Sequence, residues 1–485
     1  MPAIVFEQDS NSAAGRLRSL AAAAVDALRA RPAIVVAILA VALVEFAAGA
    51  LETDARRALQ LFLLALVGWT LTRLDDAFVA LLAALGMALL VLDEPDEMFG
   101  ALGDEIVWLM LAAFVLAAAV RETGLADRLA GFALARARTT RGAFHALAAV
   151  MLATAFLAPS TSGRAAMMVP LFEQDAAGEG APIRKALALL FPTVILLSAF
   201  ASLTGAGAHA LAAELVDEIG GDGIGFLEWA LYGLPFAAAC TFLAAEAILL
   251  LFVPREARSA HFSALATSET PTDRRAGPVA LILVAALAGW LTKPLHGVDE
   301  TVVALAGACA VTAPGLGGVD FRAAVKGVEW PLVLFMAATV VIAEGLDESG
   351  LVKAMAKGAL DPLGDLGLPP LAWLLAIGLV GLLSHLVIHS RTARVAVLLP
   401  PTLVAAKAAD VEPLAAMLTL VASTGFCQLL MVSAKPVALF GQLPGGTFGP
   451  RDLLRLGAVL MPLQLALIAL FAGLVWPLLG LDLVD

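Results

Sequence analysis

Long apolar segments recur along the sequence, each close to the length that a helix needs to cross a lipid bilayer. They cover residues of about 33–50, 58–74, 77–92, 104–120, 226–253, 277–292, 301–315, 330–346 and 454–479. The hydrocarbon core of a bilayer is about 30 Å thick and takes roughly 20 apolar residues per helix. Backbone groups in lipid must be satisfied within the segment, which favours helices. We therefore expect an all-α polytopic membrane protein.

Composition excludes the main soluble classes. Hydrophobic residues make up 61% of the 485 positions and charged residues only 15%, against about a quarter in average soluble domains. No basic run suits a nucleic acid. Cys240, Cys309 and Cys427 lie in apolar stretches, a pattern of neither a metal cluster nor a disulfide framework. We predict no metal site, no organic cofactor and no nucleic-acid partner, with the lipid bilayer as the surroundings.

The distribution of basic residues predicts the orientation. Segments 121–141 and 254–276 are rich in arginine, whereas segments 93–97 and 214–228 are acidic. Because short cytoplasmic loops carry the excess of lysine and arginine, the first two should be cytoplasmic and the others outside. This gives about eleven crossings of roughly 20 residues each, a cytoplasmic N-terminus and an outside C-terminus, in a bacterial inner membrane.

The sequence contains an internal repeat. Residues 107–125 resemble 329–351, and residues 160–170 resemble 390–400, in the same order. The loop that follows the first stretch is arginine-rich, whereas its counterpart carries more acids than bases. The two copies should therefore face opposite sides of the membrane. Inverted repeats of this kind are a known construction of secondary transporters, with the substrate site near the midplane.

The repeat divides the chain into expected parts. These are a cytoplasmic arm (1–32), a first transmembrane helix (33–57), a first inverted repeat (58–254) with a re-entrant hairpin near 142–170, a cytoplasmic linker (255–276), and a second inverted repeat (277–485) with a re-entrant hairpin near 369–400.

Each copy places a hydroxyl-rich tip at the start of an apolar half-helix that we expect to end at Pro170 or Pro400. The tips are Ser160-Thr161-Ser162 and Ser390-Arg391-Thr392. A helix start supplies unpaired N–H groups and the positive end of the helix dipole, features that suit an anion. The alternative is that these residues only cap ordinary helices.

A second element of each copy is also interrupted. The interruptions are Ser202-Leu203-Thr204-Gly205-Ala206-Gly207 in the first copy, and Ser423-Thr424-Gly425 with Ser433-Ala434-Lys435-Pro436 in the second. A charge such as that of Lys435 costs several kcal/mol at membrane depth, so we expect it to face a cavity or a partner.

These motifs resemble the divalent anion/sodium symporter family, which carries dicarboxylates, citrate or sulfate. The family has Ser-Asn-Thr at each tip, where this chain has Ser160-Thr161-Ser162 and Ser390-Arg391-Thr392. The resemblance implies an elevator-type secondary transporter, usually a homodimer, whose tips bind the anion and sodium as coupling ion. By position, the substrate-binding residues are Ser160, Thr161, Ser162, Ser390, Arg391, Thr392, Ser433 and Lys435. The ion-coupling residues are Ser160, Thr161, Thr204 and Gly205.

The departures from the family pattern concern charge. Both tip asparagines are absent, and a guanidinium offers no oxygen to sodium. We therefore hypothesise that Arg391 replaces a coupling sodium and lowers the sodium dependence. Further charge partners of the substrate are Arg164, Arg394, His209 and His389. The alternative for the arginines is pairing with backbone carbonyls or an ion pair.

Competing functions remain open at this stage. One is a cation/proton antiporter or a metalloid oxyanion efflux permease on a related scaffold, although aspartates would be expected at its broken helices. The remote alternative is a membrane-embedded enzyme, for which Ser390 has only His389 nearby as a base. His385 and His389 are four residues apart, which predicts one helical face. We expect a protein that is not an enzyme.

Overall fold

The computed structural model of the chain describes residues 32–49, 51–92, 96–176, 180–219, 223–261, 273–355, 367–445 and 447–484. The predicted arm, except for Pro32, and residues 262–272 of the predicted linker lie outside them. Across the described residues the regular elements are helices, joined by one isolated antiparallel bridge between Thr139 and His261. The predicted all-α class is confirmed.

The helices of seven or more residues are numbered here in chain order. They are α1 (Pro32–Ala47), α2 (Thr53–Leu71), α3 (Asp76–Leu90), α4 (Glu105–Glu122), α5 (Leu125–Leu134), α6 (Thr140–Ala153), α7 (Thr161–Ala176), α8 (Ala181–Ser198), α9 (Gly207–Glu218), α10 (Phe226–Phe252), α11 (Ala276–Leu291), α12 (Glu300–Thr312), α13 (Trp330–Glu348), α14 (Pro370–Ser384), α15 (Arg391–Ala408), α16 (Pro413–Thr424), α17 (Lys435–Gly441) and α18 (Pro450–Leu470). A π-helical turn, Phe471–Val475, and Trp476–Leu478 extend α18.

Shorter helical pieces lie between these helices. They are Glu97–Gly100, Ala101–Gly103, Thr154–Phe156, Ala199–Ala201, Leu203–Gly205, Arg255–Ser259, Lys293–His296 and Phe321–Lys326.

Every apolar segment read from the sequence coincides with a helix. Five helices of the described chain are long and apolar enough to cross a membrane: Met98–Glu122, Ala181–Ala201, Phe226–Phe252, Trp330–Glu348 and Pro450–Leu478. The remaining apolar helices are shorter. In the regions that we predicted as interrupted, apolar helices occur in pairs separated by residues that are not α-helical, so two such helices together can cover the depth of a bilayer.

The two copies of the repeat share local geometry. Gly124 follows α4 with φ of 63°, and its counterpart Gly350 follows α13 with φ of 73°. Only glycine adopts this left-handed conformation without strain, which ends a helix and redirects the chain. The glycine common to both sequence stretches is thus explained by the turn that each makes.

The helices pack in two groups. In the first group, α3 packs against α13 and α2, and α4 packs against α12. The second group contains α6 to α10 and α14 to α18, in which α8 contacts α10 and α14 contacts α16. Helix α9 contacts α13 and α4, so it lies where the two groups meet.

The second group interleaves the two repeats. Helix α9 of the first repeat packs on α15 of the second, and α17 of the second packs on α7 and α8 of the first. The rings of Phe172, Phe191 and Phe440 meet with centroids 5.5–5.8 Å apart at the latter contact. Each such aromatic pair adds about 0.5–1.5 kcal/mol beyond its buried area, so the core of this group depends on both repeats.

One boundary prediction was wrong. We expected α7 and α15 to end at Pro170 and Pro400, but α7 continues to Ala176 and α15 to Ala408. A proline inside a helix removes one N–H donor and bends the helix. Neighbouring helices in a membrane protein can satisfy the freed carbonyl, so a proline need not end a helix at this depth.

The predicted breaks are confirmed. Helix α8 ends at Ser198, two short 3-10 turns follow, and α9 begins at Gly207. In the second repeat, α16 ends at Thr424 and α17 begins at Lys435. The residues between each pair are non-α-helical and largely buried within protein.

We expect Gly205→Ala to destabilise the protein by about 1–3 kcal/mol, as overpacking of a tight core does. A β-carbon at Gly205 would lie 2.1 Å from the carbonyl oxygen of Ala199, and that backbone oxygen cannot yield as a side chain would. The thermal unfolding midpoint of the purified protein in detergent measures the effect. Gly277→Ala is the control, since nothing lies within 4 Å of its added carbon. Equal midpoints for the two variants would contradict the expectation.

Candidate functional site

A cavity of about 550 Å³ lies where the two tips and the two breaks meet. Its walls come from the tips, from the starts of α9 and α17, and from α2, α3 and α13 of the first group. The lining residues include Trp69, Arg73, Asp75, Asp76, Pro159, Ser160, Thr161, Ser162, Gly207, Glu329, Phe335, His389, Ser390, Arg391, Thr392, Arg394 and Lys435. The structure therefore brings the two predicted tips together in one space.

The two tips have the same backbone arrangement. The Ser160 hydroxyl accepts a hydrogen bond from the Gly163 N–H (3.0 Å), and the Ser390 hydroxyl accepts one from the Ala393 N–H (3.3 Å). Each serine therefore acts as the N-cap of its helix, as the alternative interpretation expected. Each hydroxyl retains its own proton to donate. The backbone N–H groups of the two residues that follow each serine have no acceptor within the helix. Capping and ligand binding are thus compatible at these tips.

The Arg391 side chain is buried against the end of α16. Its Nη2 donates to the Val421 carbonyl oxygen (3.1 Å) and its Nε to Thr424 Oγ1 (3.4 Å). Its Nη1 is buried and has no partner among the described residues. The guanidinium thus ties the second tip to the break while one N–H group remains available beside the cavity.

Arg164 and Arg394 occupy matched positions in the repeats but differ in their contacts. Arg164 is fully buried and donates to the Ile195 carbonyl oxygen (3.1 Å), Ser198 Oγ (2.8 Å), Thr154 Oγ1 (3.2 Å) and the Met151 carbonyl oxygen. Its donors are therefore used within the protein, and it is not among the residues that line the cavity.

Arg394, by contrast, has one hydrogen bond among the described residues, from Nη2 to Cys427 Sγ (3.1 Å). Its Nε and Nη1 are buried without partners, and it lines the cavity. Sequence position alone made the two arginines equivalent. In the structure all three guanidinium nitrogens of Arg164 have acceptors, whereas two of the three of Arg394 have none among the described residues.

The structural counterpart of Arg164 is instead Arg391. Arg164 contacts the carbonyl and hydroxyl of Ile195 and Ser198, three residues apart at the end of α8. Arg391 contacts the carbonyl and hydroxyl of Val421 and Thr424, three residues apart at the end of α16. A cation therefore sits at the carboxyl end of the broken helix in both repeats, where the helix dipole is negative.

The other predicted residues divide into two sets. Lys435 is exposed to the cavity at the start of α17 and has no ion pair among the described residues. Ser433 is buried and donates to the carbonyl oxygens of Cys427 (2.5 Å) and Leu430 (2.6 Å). Thr204 is buried and pairs with Ser202 Oγ (3.0 Å). Ser433, Thr204 and Gly205 shape the breaks without lining the cavity.

The three histidines that the sequence analysis singled out have different environments. His389 lines the cavity. His209 is fully buried, its Nδ1 lies 2.9 Å from the Ser202 carbonyl oxygen and its ring stacks on Trp229. His385 is buried against Phe426. The expectation of one helical face for His385 and His389 was wrong, because α14 ends at Ser384.

Sequence reasoning missed the acidic side of the cavity. Asp75, Asp76 and Glu329 line the same cavity as the arginines. Asp75 caps α3 and Asp76 is its first residue, and in the sequence such a charged pair between two apolar segments resembles any solvated loop. Glu329 belongs to the repeated stretch, but its counterpart there is not acidic, so the repeat gave no signal.

Comparison with known proteins shows which family and which proteins the chain resembles. Residues 26–481 match the family model described as the sodium:sulfate symporter transmembrane region. The chain is 27% identical over 390 residues to the chloroplastic dicarboxylate transporter 1 of Spinacia oleracea, covering 76% of this chain and 67% of that protein. It is 26% identical over 403 residues to the citrate/succinate antiporter of Escherichia coli (strain K12), covering 77% and 78%.

A solved structure shares the fold. The YdaH transporter of Alcanivorax borkumensis superposes with a TM-score of 0.54 at 17% sequence identity, covering 88% of this chain and 100% of that one. At this identity the likeness concerns the arrangement of helices alone.

Proposed function

The chain belongs to the sodium:sulfate symporter family, and from this premise we propose that it is a secondary transporter of small divalent anions that binds them between its two tips. The relatives named for transport of dicarboxylates and of citrate and succinate support organic dianions as the substrate class. Because those relatives are transporters, they also favour transport over catalysis.

The observation that carries the proposal is a pair of buried guanidiniums with unused donors. Among the described residues, Nη1 of Arg391 and both Nε and Nη1 of Arg394 have no hydrogen-bond partner, and both arginines line the cavity. Buried N–H groups of a charged side chain are costly unless something accepts their hydrogen bonds. Carboxylate or sulfate oxygens match the fork of a guanidinium.

The remaining groups of the cavity suit the second anionic group of a divalent substrate. Lys435 contributes a charge from the start of α17, and the tips contribute the hydroxyls of Ser160, Thr161, Ser162 and Thr392. The volume of about 550 Å³ is that of a small-molecule site. In this proposal a four-carbon dicarboxylate binds Arg391 and Arg394 with one carboxylate, and Lys435 and the hydroxyls of the first tip with the other.

The architecture in the membrane follows the same proposal. Helix pairs α6/α7 and α14/α15 form the two re-entrant hairpins of the inverted repeats, 58–254 and 277–485, among about eleven crossings of roughly 20 residues. The second packing group is the mobile part of an elevator, and the first is the scaffold. The protein is a homodimer with its N-terminus in the cytoplasm and its C-terminus outside.

Sodium has a reduced role in this proposal. Arg164 and Arg391 place a fixed positive charge at the end of α8 and of α16, between a tip and a break. A cation there would be repelled, since unit charges 4 Å apart interact by several kcal/mol in a partly buried setting. We therefore assign the coupling to anion exchange, with the guanidiniums as permanent cations.

Uptake of radiolabelled succinate and sulfate into proteoliposomes tests the function. We expect the purified protein to take up succinate against unlabelled internal succinate, at a rate that changes little when potassium replaces sodium outside. Liposomes without protein and liposomes without internal anion are the controls.

Two outcomes would count against this proposal. Uptake that stops without sodium and shows a saturable sodium activation curve would contradict the sodium part while leaving the anion site in place. The proposed substrate class would be wrong if neither succinate nor sulfate is transported and neither of them inhibits the transport of another dianion.

A further inference from the structure

Helix α5 exposes apolar side chains although it is too short to cross a bilayer. Its ten residues span about 15 Å, half of the hydrocarbon thickness. The buried residues Ala126, Ala130 and Leu134 recur every four positions, and the helix packs on α6. Leu129 and Phe132 point elsewhere and are exposed, Phe132 with 64% of its surface. A short helix with exposed apolar side chains beside basic residues is typical of one that lies in the membrane interface.

A cluster of arginines adjoins the end of this helix. Residues 136–141, which run from the end of α5 into α6, meet residues 254–261, which follow α10. The Thr140 N–H donates to the Ala260 carbonyl oxygen (3.1 Å), and the isolated bridge described above also joins the two segments. Together the segments carry five arginines and one carboxylate, that of Glu256. We call them the arginine corner, and their excess of positive charge lies where α6 begins and α10 has just ended.

Three of these arginines have partners within the protein. Arg136 donates to the Phe132 carbonyl oxygen (2.8 Å), and its guanidinium carbon lies 3.4 Å from the centroid of the Phe132 ring. Arg141 forms an ion pair with Glu246 (2.7 Å), and Arg258 donates to two carbonyl oxygens at the end of α10 (2.9 and 3.1 Å). Only the charge of Arg141 is offset by a carboxylate in these contacts.

The other two arginines face outward. Arg138 and Arg255 are exposed and make no ion pair or hydrogen bond with any residue that the structure describes. The planar fork of a guanidinium matches the oxygens of a phosphate. Clusters of arginine at the end of a membrane helix attract anionic lipid headgroups. The corner therefore offers two unpaired forks close to the exposed ring of Phe132.

A second pair of an arginine and a phenylalanine flanks the corner. The guanidinium carbon of Arg455, on α18, lies 5.5 Å from the centroid of the Phe252 ring at the end of α10, within the range of a cation–π contact. Leu250 and Leu454 beside this pair are exposed. Cationic heads next to exposed apolar surface thus occur on both sides of the corner, the combination that a phospholipid headgroup and its acyl chains require.

The positive charge is not a general property of the repeat. Segment 121–141 carries five arginines and two acids, whereas its counterpart 347–365 carries two lysines and four acids. The tips and helix ends of the two copies are alike, so this difference in charge has no counterpart in the shared architecture and requires another explanation.

We propose that the arginine corner binds an anionic phospholipid, whose phosphate contacts Arg138 and Arg255 and whose acyl chains pack on Leu129 and Phe132. The ligand is a lipid instead of a soluble phosphate because the unpaired guanidiniums adjoin apolar surface that only acyl chains would cover. Helix α5 connects α4 of the first packing group to α6 of the second, so the lipid binds where the two groups are joined. The inference is independent of the anion that the cavity takes.

Native mass spectrometry of the purified full-length protein tests the proposal. The protein is titrated in nonionic detergent with dioleoyl phosphatidylglycerol, and the bound lipid is counted to obtain the Kd of the tightest site. We expect the double variant Arg138→Gln/Arg255→Gln to raise this Kd by about 25-fold, since each arginine near an anionic membrane surface contributes about fivefold. Both side chains are exposed and without partners among the described residues, so the fold should be unaffected.

Matched proteins and ligands separate the possible explanations. Arg274→Gln/Arg322→Gln removes two exposed arginines outside the corner and should leave the Kd within about twofold of the wild type. Arg138→Lys/Arg255→Lys keeps the charge and should recover most of the affinity. Dioleoyl phosphatidylcholine, without net charge, and glycerol 3-phosphate, without acyl chains, should each bind more than about tenfold more weakly than phosphatidylglycerol.

Four results would overturn the inference. An unchanged Kd in Arg138→Gln/Arg255→Gln would show that these arginines do not bind the lipid. An equal loss in Arg274→Gln/Arg322→Gln would reveal a general effect of charge. Equal binding of phosphatidylcholine would mean that the site does not read the anionic headgroup, and equal binding of glycerol 3-phosphate would make it a site for a soluble phosphate.

Discussion

Arg391→Asn is expected to lower sodium-independent succinate uptake by about 100-fold, the effect of losing a charged hydrogen-bonding group worth roughly 3 kcal/mol. In the proposed site, the variant removes one donor to the anion and one of the positive charges beside it. It also frees the Val421 carbonyl oxygen and Thr424 Oγ1 at the end of α16. Initial uptake rates at subsaturating succinate, normalised to reconstituted protein, measure the loss.

Sodium gives this variant a second readout. Asparagine offers a carbonyl oxygen in place of a cation, and the freed carbonyl and hydroxyl are oxygen ligands as well. Partial recovery of uptake by added sodium would support the view that the guanidinium stands in for a coupling ion. The control is Arg322→Asn, an exposed arginine outside the cavity, which should transport at the wild-type rate. Sodium-independent uptake that survives in Arg391→Asn would show that Arg391 has no role in binding or coupling.

The largest expected loss of stability belongs to Arg164→Gln. The guanidinium of Arg164 serves four acceptors of α6, α8 and the intervening turn while fully buried. Glutamine cannot reach all of them. Removing one partner from a buried charged network costs about 3–5 kcal/mol. The thermal unfolding midpoint in detergent measures this loss, when unfolding is followed as the fraction of protein that stays monodisperse after heating.

Arg394→Gln is the matched comparison, since it changes the same residue type at the equivalent position of the other repeat. Among the described residues Arg394 makes one hydrogen bond, to Cys427 Sγ, so its replacement removes little hydrogen bonding from the fold. We expect a midpoint close to that of the wild type and a Kd for succinate raised more than about tenfold. Two results would contradict these assignments. One is a large loss of stability with normal succinate binding in Arg394→Gln, and the other is normal stability with weakened succinate binding in Arg164→Gln.

The sequence was sufficient for the helices, the breaks and the tips. Apolar length and glycine position are local properties, so the helix pair around Ser160 and the break around Gly205 could be located from spacing alone. The repeat then predicted that the tips occupy equivalent places. This is why Ser160 and Ser390 have the same capping geometry in the structure.

The roles of the arginines could not be predicted in the same way. A long side chain can reach acceptors several residues away, so its contacts depend on which carbonyls the neighbouring helix leaves open. Arg164 reaches the end of α8 from the fifth residue of its tip stretch, whereas Arg391 reaches the end of α16 from the second. Arginines at equivalent positions therefore make different contacts, whereas Arg164 and Arg391, at different positions, make equivalent ones.

Asp76 illustrates a second limit of prediction from a single sequence. Nothing in the sequence joins a loop after the second apolar segment to a tip more than 300 residues later. Their proximity arises from the packing of α3 and α13 beside the second group. A single sequence carries no record of such long-range contacts, so the acidic wall of the cavity became visible only in three dimensions.

The packing of helices of one repeat against helices of the other also has a consequence for the synthesis of the protein. Helix α17 completes the contacts of α7 and α8, yet it emerges from the ribosome roughly 250 residues after them. Until then, the nascent first half holds hydroxyl-rich, non-helical backbone in the membrane without its final neighbours, a state in which unpaired groups are costly. An expressed half-chain should accordingly be prone to degradation, and insertion machinery or chaperones would need to shelter it until translation of the second half is complete.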